Sequence, residues 1–263
     1  MAKPARASLK GTIQQANAQK NVQQNTPTNA AGLQRFSTLT DQQQADMVNK
    51  AKTARAVPGY PDTFYQKFVM VNGLDAKPKL VTDAQMDAMP GKDFYRGINA
   101  PSTDAADKII MNTLMDDYTF FSDSGGSAMG RGIYAMQDLN ADVNMYGSSR
   151  GVNNIMRMKL DSDAKTISYS AAMDLYSKEI RSGSQLGKSL RGVPDRDDVS
   201  IVAAAKGYSA ITNTRYGYNG GTNEWGNILS RDKLSISMQY HRVTPNDIKK
   251  ASNGTLTWNT MEK

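Results

Sequence analysis

Apolar positions fall into three textures along the chain. Residues 1–34 carry only Leu9, Ile13, Val22 and Leu33 as larger apolar side chains, set among Ala, Gln, Asn, Lys and Thr. Such a stretch cannot bury enough surface to offset its ordering entropy, so alone it is expected to be disordered. Helical signals follow. Thr40-Asp41-Gln42-Gln43 has the form of a capping box, in which the Thr hydroxyl and the Gln amide each satisfy a backbone N–H, and predicts a helix running to about Arg55. Pro58 and Pro61 interrupt it; Asp62 to Val71 reads as a second helix closed by Gly73, and Thr82-Asp83-Ala84-Gln85 opens a short third one ending at Met89-Pro90-Gly91.

Beyond residue 90 the texture changes to short strands. Phe94 to Ile98, Tyr118 to Ser122, Ile133 to Ala135, Ile155 to Leu160, Lys165 to Tyr169, Tyr208 to Thr212, Trp225 to Leu229 and Leu234 to Met238 carry β-branched, aromatic or alternating apolar residues between turn signals. Helices are predicted at Asp104 to Met115, Leu139 to Tyr146, Ala171 to Arg181 and Asp197 to Lys206. Strands bunched in the C-terminal two-thirds, without regular βα alternation, predict an α+β fold. The expected organisation is a polar tail over 1–38, a helical region over 39–90, a domain over 91–240 and a C-terminal tail over 241–263.

Composition removes several chemistries. The 263 residues include no Cys and one His, so disulfide frameworks, thiolate metal sites, Cys nucleophiles and multi-histidine metal centres are excluded. His241 lies in a polar segment and is expected at the surface. Only three residues are Glu: Glu179, Glu224 and Glu262. The net charge is +7, of which residues 1–60 supply +6, leaving +1 for the remainder; the basic character belongs to the N-terminal arm. Such an arm suits nucleic acid or the surface of an assembled protein shell. No apolar run approaches the ~20 residues of a membrane span and no secretory signal is recognised, so an intracellular location without membrane contact is expected.

Some motifs resemble chemistry only superficially. Gly183-Ser184-Gln185-Leu186-Gly187-Lys188-Ser189 has its glycines one residue too close for a phosphate-binding loop and follows a helix, so a flexible polar loop is expected there. Gly130-Arg131-Gly132 is half of a dinucleotide fingerprint but leads into a strand. Asp195-Arg196-Asp197-Asp198 lies where a helix should begin, and carboxylates there answer the helix dipole.

Four pieces remain. Asp93-Phe94-Tyr95-Arg96-Gly97-Ile98 puts a planar, phosphate-matching guanidinium beside a glycine that admits close approach. Phe120-Phe121-Ser122-Asp123-Ser124-Gly125-Gly126 ends a strand in hydroxyls. Gly130-Arg131-Gly132-Ile133-Tyr134-Ala135 confines a strand-borne tyrosine. Ala205-Lys206-Gly207-Tyr208-Ser209-Ala210-Ile211 turns from helix to strand, and a lone Glu in Asn223-Glu224-Trp225-Gly226-Asn227-Ile228 enters the last piece after a Gly/Asn-rich loop.

The order of these pieces over residues 80–240 resembles the ADP-ribosyltransferases, especially bacterial and phage-type members with an arginine on the first strand. The resemblance implies split antiparallel sheets flanking a cleft for NAD, whose nicotinamide–ribose bond breaks through an oxocarbenium-like state without a metal. By that resemblance Arg96 holds the NAD phosphates, Gly97 offers its backbone to the nicotinamide amide, and Ser122, with Ser124 as the alternative, positions the ribose. Tyr134 stacks on nicotinamide and Glu224 bonds the ribose 2′-hydroxyl. The position two before Glu224 is Thr222, so the paired carboxylates of arginine modifiers are missing. Transfer to another macromolecular acceptor in the cytoplasm of a host, plain NAD hydrolysis and an inactive fold remain the alternatives. The rival reading is a virion-associated structural protein with the same fold, docked on nucleic acid or a capsid through residues 1–60.

Overall fold

The computed structural model describes residues 39–55, 63–74, 78–115, 132–146, 152–193, 195–216 and 222–261. The basic arm, the expected strand from Tyr118 to Ser122 and the Gly130-Arg131 pair lie outside these. The described elements are, in order, α1 (Asp41–Thr53), α2 (Phe64–Val71), β1 (Lys79–Val81), α3 (Asp83–Ala88), β2 (Asp93–Ala100), α4 (Thr103–Met115), β3 (Ile133–Met136), α5 (Leu139–Tyr146) and β4 (Val152–Leu160). They continue with β5 (Thr166–Ser168), α6 (Tyr169–Ser182), α7 (Gln185–Ser189), α8 (Asp195–Ala205), β6 (Ala210–Tyr216), β7 (Thr222–Ile228), β8 (Leu234–Arg242), α9 (Pro245–Ser252) and a 3₁₀ turn at Trp258–Thr260. None of the described helices is long and apolar enough to cross a membrane.

The caps form as the residue types dictate. Thr40 accepts from the Gln43 N–H at 3.2 Å while the Gln43 amide oxygen accepts from the Thr40 N–H at 2.8 Å, and Thr82 and Gln85 repeat the arrangement at α3. Each such cap typically contributes about 1 kcal/mol. α1 and α2 bury Met47, Val48, Phe68 and Val69 in a core shared with Ile201 and Val202 of α8 and with Phe94, Ile133, Ile228 and Ile236 of the sheet. Full burial of side chains this size contributes about 1.5–3 kcal/mol each.

The α+β class holds, but the pair of separate antiparallel sheets expected from the sequence is one eight-stranded mixed sheet, in the order β1-β8-β4-β2-β3-β7-β6-β5. Its two outer pairings, β1 with β8 and β5 with β6, are parallel. Both need long crossovers, which is why local patterning did not disclose them. Lys79–Val81 was not anticipated as a strand, and it ties the helical N-terminal region into the sheet. The middle of the sheet is narrow. β2 pairs with β4 continuously from Asp93↔Lys159 to Ala100↔Val152, yet with β3 only at Tyr95↔Met136.

Two further expectations are corrected. His241 is 5% exposed rather than a surface residue, lying edge-on to Trp258 with ring centroids 4.4 Å apart. The stretch expected as a C-terminal tail folds back. β8 continues to Arg242, α9 starts with Thr244 and Pro245, and Ala251, Leu256, Trp258 and Met261 form a second core with Tyr95, Leu139, Val143 and Ile155. The apolar residues of this segment are spaced singly among polar ones, so their packing follows from tertiary contact rather than from local periodicity.

Candidate functional site

Of the residues picked out in the sequence, Arg96, Gly97, Tyr134 and Glu224 fall on three adjacent strands at the narrow middle of the sheet; Ser122 and Ser124 lie outside the described residues. The register fixes their relation. β3 and β7 pair from Ile133↔Ile228 to Met136↔Trp225, and the Gln137 N–H donates to the Glu224 carbonyl at 2.9 Å, which extends the ladder by one residue. Arg96 stands one residue past the Tyr95↔Met136 joint, on the neighbouring strand. With strands about 4.8 Å apart and a rise of about 3.3 Å per residue, the backbones of Arg96 and Glu224 are roughly 12 Å apart.

Strand alternation also assigns faces. Paired residues share a face, so Phe94, Arg96, Gly226 and Glu224 project to one side while Tyr95, Gly97, Tyr134 and Asn227 project to the other. The sheet is not continuous between the two groups, because no β2–β3 pair follows Tyr95↔Met136. The two sets of residues therefore flank the single β2–β3 pairing from opposite faces of the sheet.

Glycines permit this packing at two points. A Cβ on Gly226 would stand 2.5 Å from Cε1 of Phe94, so only glycine lets β7 lie against that ring. Gly132 has φ of 151° and precedes β3; a side chain there would strike the Asn227 amide and the Ile228 carbonyl. This gives the Gly-Ile-Tyr sequence a structural requirement for its glycine.

Glu224 is about one-third exposed and its Oε2 accepts from Lys92 Nζ at 3.0 Å, with Lys92 itself mostly in solvent. Below β2, Asp93 is tied to Arg157 at 2.7 Å and Lys159 at 3.3 Å, and Arg157 also reaches Asp87 at 2.7 Å. The Arg157 guanidinium lies 6.0 Å from the Trp258 ring centroid. Its charged form is favoured by the two carboxylates against the cost of burial. The start of β2 is thus anchored by charge where its other end is free of β3.

Sequence reasoning missed Asp142. This residue of α5 is 1% exposed, and its carboxyl bonds the Gly97 backbone. Burial pushes its pKa up to about 7; the Gly97 bond and the nearby Arg96 charge pull the other way, and Asp138 adds to the rise. Its Oδ2 has no hydrogen-bond partner among the described residues. The signal was present in the sequence, because Leu139, Asp142 and Val143 share a helix face, and a carboxylate on an apolar stripe has no bland solvent role.

The segment resembling a phosphate-binding loop is not a flexible loop. It forms α7, and the N–H groups of Gln185 and Leu186 donate to the Asp41 carboxylate at 2.7 and 3.2 Å while that of Gly187 donates to Ser184 Oγ at 2.9 Å. The chain's own anion occupies the donors that a phosphate would need. A cavity of about 300 Å³ beside it is bordered by Ile180, Lys188, Leu190, Arg191 and Val193. Among the described residues, no three His, Cys, Asp or Glu side chains are grouped so as to hold a metal ion. In comparisons with known proteins, the chain matches no family model, no curated protein and no solved structure.

Proposed function

We propose that this chain is a mono-ADP-ribosyltransferase that cleaves the nicotinamide–ribose bond of NAD and transfers ADP-ribose to a macromolecular acceptor, with the gap between β2 and β3 as its cleft. The observation that carries this reading is the placement of Arg96, Gly97, Tyr134 and Glu224, distant in sequence, on three neighbouring strands beside the single β2–β3 pairing, Arg96 and Glu224 on one face and Gly97 and Tyr134 on the other. The donor set suits the ligand. Arg96 offers a fork for phosphate oxygens, the Gly97 backbone an amide contact, Tyr134 a flat face and Glu224 a partly exposed carboxylate.

In this reading Glu224 accepts a hydrogen bond from the ribose 2′-hydroxyl and stabilises the positive charge that develops as the C–N bond breaks. The bonding pair leaves with nicotinamide, and the acceptor forms the new bond to the sugar carbon and loses its proton. Lys92 holds the Glu224 carboxylate in place before substrate arrives. An ADP-ribosyltransferase fold, a protein acceptor, docking on nucleic acid or capsid through residues 1–60 and action in a host cytoplasm complete the proposal.

The rival, a catalytically silent structural protein of the same fold, draws support from one feature: Asp142 already holds the Gly97 backbone. Incubation of wild type and Glu224→Gln with adenylate-labelled NAD and cell lysate separates the two. Loss of one charge-stabilising group is expected to lower labelling by about 10²–10³. Equal labelling by both proteins removes Glu224 from the chemistry, and no labelling together with no nicotinamide release by wild type favours the structural protein.

A further inference from the structure

Asp142 presents an arrangement that folding by itself would avoid. A carboxyl group is fully withdrawn from water and held by a single backbone bond, with Oδ2 lacking a partner among the described residues. Buried polar groups ordinarily satisfy themselves, and a carboxylate left half-satisfied in an apolar setting is costly. Leu139 and Val143 on the same helix face pack with Tyr95, Ile155 and Trp258, and the Arg96 charge lies near enough to favour the ionised carboxyl. A Ser or Ala at this position would meet the packing need at lower cost.

The position of the bond is specific. β2 has no ladder partner in β3 beyond Tyr95, so the backbone of Gly97 on that side is left for something other than a strand, and α5 delivers the Asp142 carboxyl to it. The same backbone lies beside Arg96, the proposed phosphate fork. One N–H supports one strong acceptor at a time. An amide ligand and Asp142 therefore compete for it.

We propose that Asp142 is a built-in occupant of the NAD site, its carboxyl standing in for the carboxamide oxygen of nicotinamide on the Gly97 backbone, so that ligand binding requires its displacement. The inference rests on the NAD reading given above and adds a regulator to that site. The ligand class concerned is an aromatic ring bearing an amide, as at the nicotinamide end of NAD.

Displacement is tied to protonation. With a pKa pushed up to about 7, Asp142 loses its charge just below neutrality. The neutral acid holds the Gly97 N–H more weakly than the carboxylate does and loses its attraction to the Arg96 charge, so acidification opens the site. The charged groups that act on it are Arg96 from β2 and Asp138 ahead of α5. β3 carries no ionisable side chain other than Tyr134. On α9, Asp247 is turned into its own cap at Thr244, and Lys250 reaches the Thr260 carbonyl. His241 is an ionisable group packed on Trp258 in the same core, so a variant lacking Asp142 is needed to separate the two.

The test is calorimetric titration of a non-cleavable carbocyclic NAD into wild type, Asp142→Ser and Asp142→Asn at about pH 8 and about pH 6. Asp142→Ser is expected to bind at least about ten-fold more tightly than wild type at the higher pH, the worth of one charge-assisted hydrogen bond. Wild type should tighten on acidification while Asp142→Ser does not. Asp142→Asn, whose amide oxygen still reaches the Gly97 N–H, should stay closer to wild type. Binding by wild type with no gain in Asp142→Ser overturns the plug and leaves the NAD reading standing. No binding by any of the three overturns the NAD reading, and the gate falls with it. A second readout needs no ligand: the ¹⁵N–¹H signal of Gly97 should titrate near neutrality in wild type and stay flat in Asp142→Asn. A Gly97 signal that does not move with pH in wild type contradicts the contact.

Discussion

At the residue scale, the carboxyl of Asp142 and the missing side chain of Gly226 are the clearest departures from bland packing. The folded pKa of Asp142 is raised from 3.8 to about 7, so the folded chain binds that proton more tightly than the unfolded chain does. Its contribution to stability is fully present below about pH 4 and is lost as pH rises through about 7, with an upper bound near 4 kcal/mol. Thermal melts of Asp142→Asn should match wild type near pH 4 and exceed it at about pH 8; a variant no more stable than wild type at the higher pH contradicts this. Gly226→Ala forces a methyl group against Phe94 and should cost about 1–3 kcal/mol in denaturant unfolding. Lys92→Ala, by contrast, removes an exposed ion pair and should change stability by less than about 1 kcal/mol. Arg96, Tyr134 and Glu224 were singled out in the sequence by neighbouring glycines and a scarce residue type, and the fold sets them on adjacent strands. Asp142 was harder to see, since its meaning depends on which helix face meets the sheet.

At the scale of elements, caps and alternation are local and were readable. The Thr40 and Thr82 boxes, the strand over Asp93–Ala100 and the helices over Leu139–Tyr146 and Tyr169–Ser182 follow from residue types within a few positions of one another. What was not readable depends on partners far along the chain. Lys79–Val81 is a strand because β8 lies beside it, and Gln185–Ser189 is a helix whose N-terminus is satisfied by Asp41. The anchor beneath β2 is of the same kind. Arg157 bridges Asp87 and Asp93 and lies over Trp258, joining α3, β2, β4 and the C-terminal turn. Arg157→Met should cost about 1.5–3 kcal/mol, because it removes charge-assisted bonds to Asp87 and Asp93 while Asp93 keeps Lys159 and the Tyr95 hydroxyl. Urea unfolding measures this; a loss below about 1 kcal/mol would reduce the network to decoration.

At the scale of the whole molecule, one eight-stranded sheet is joined at its centre by a single β2–β3 pair. The strands on either side are continuously laddered, so this single pair is where the two halves of the sheet meet. The α+β class was visible from the texture of the chain. The order of strands was not, because the parallel outer pairs depend on crossovers that leave no local trace. NAD cleavage by the residues that border this joint is the proposal to be tested. Release of free nicotinamide from NAD, followed chromatographically for purified wild type and Glu224→Gln, tests this most directly. Steady release by wild type, falling by about 10²–10³ in the variant, is the expected result. Identical release by the two proteins, or none from wild type even at mildly acidic pH where Asp142 is neutral, would contradict it.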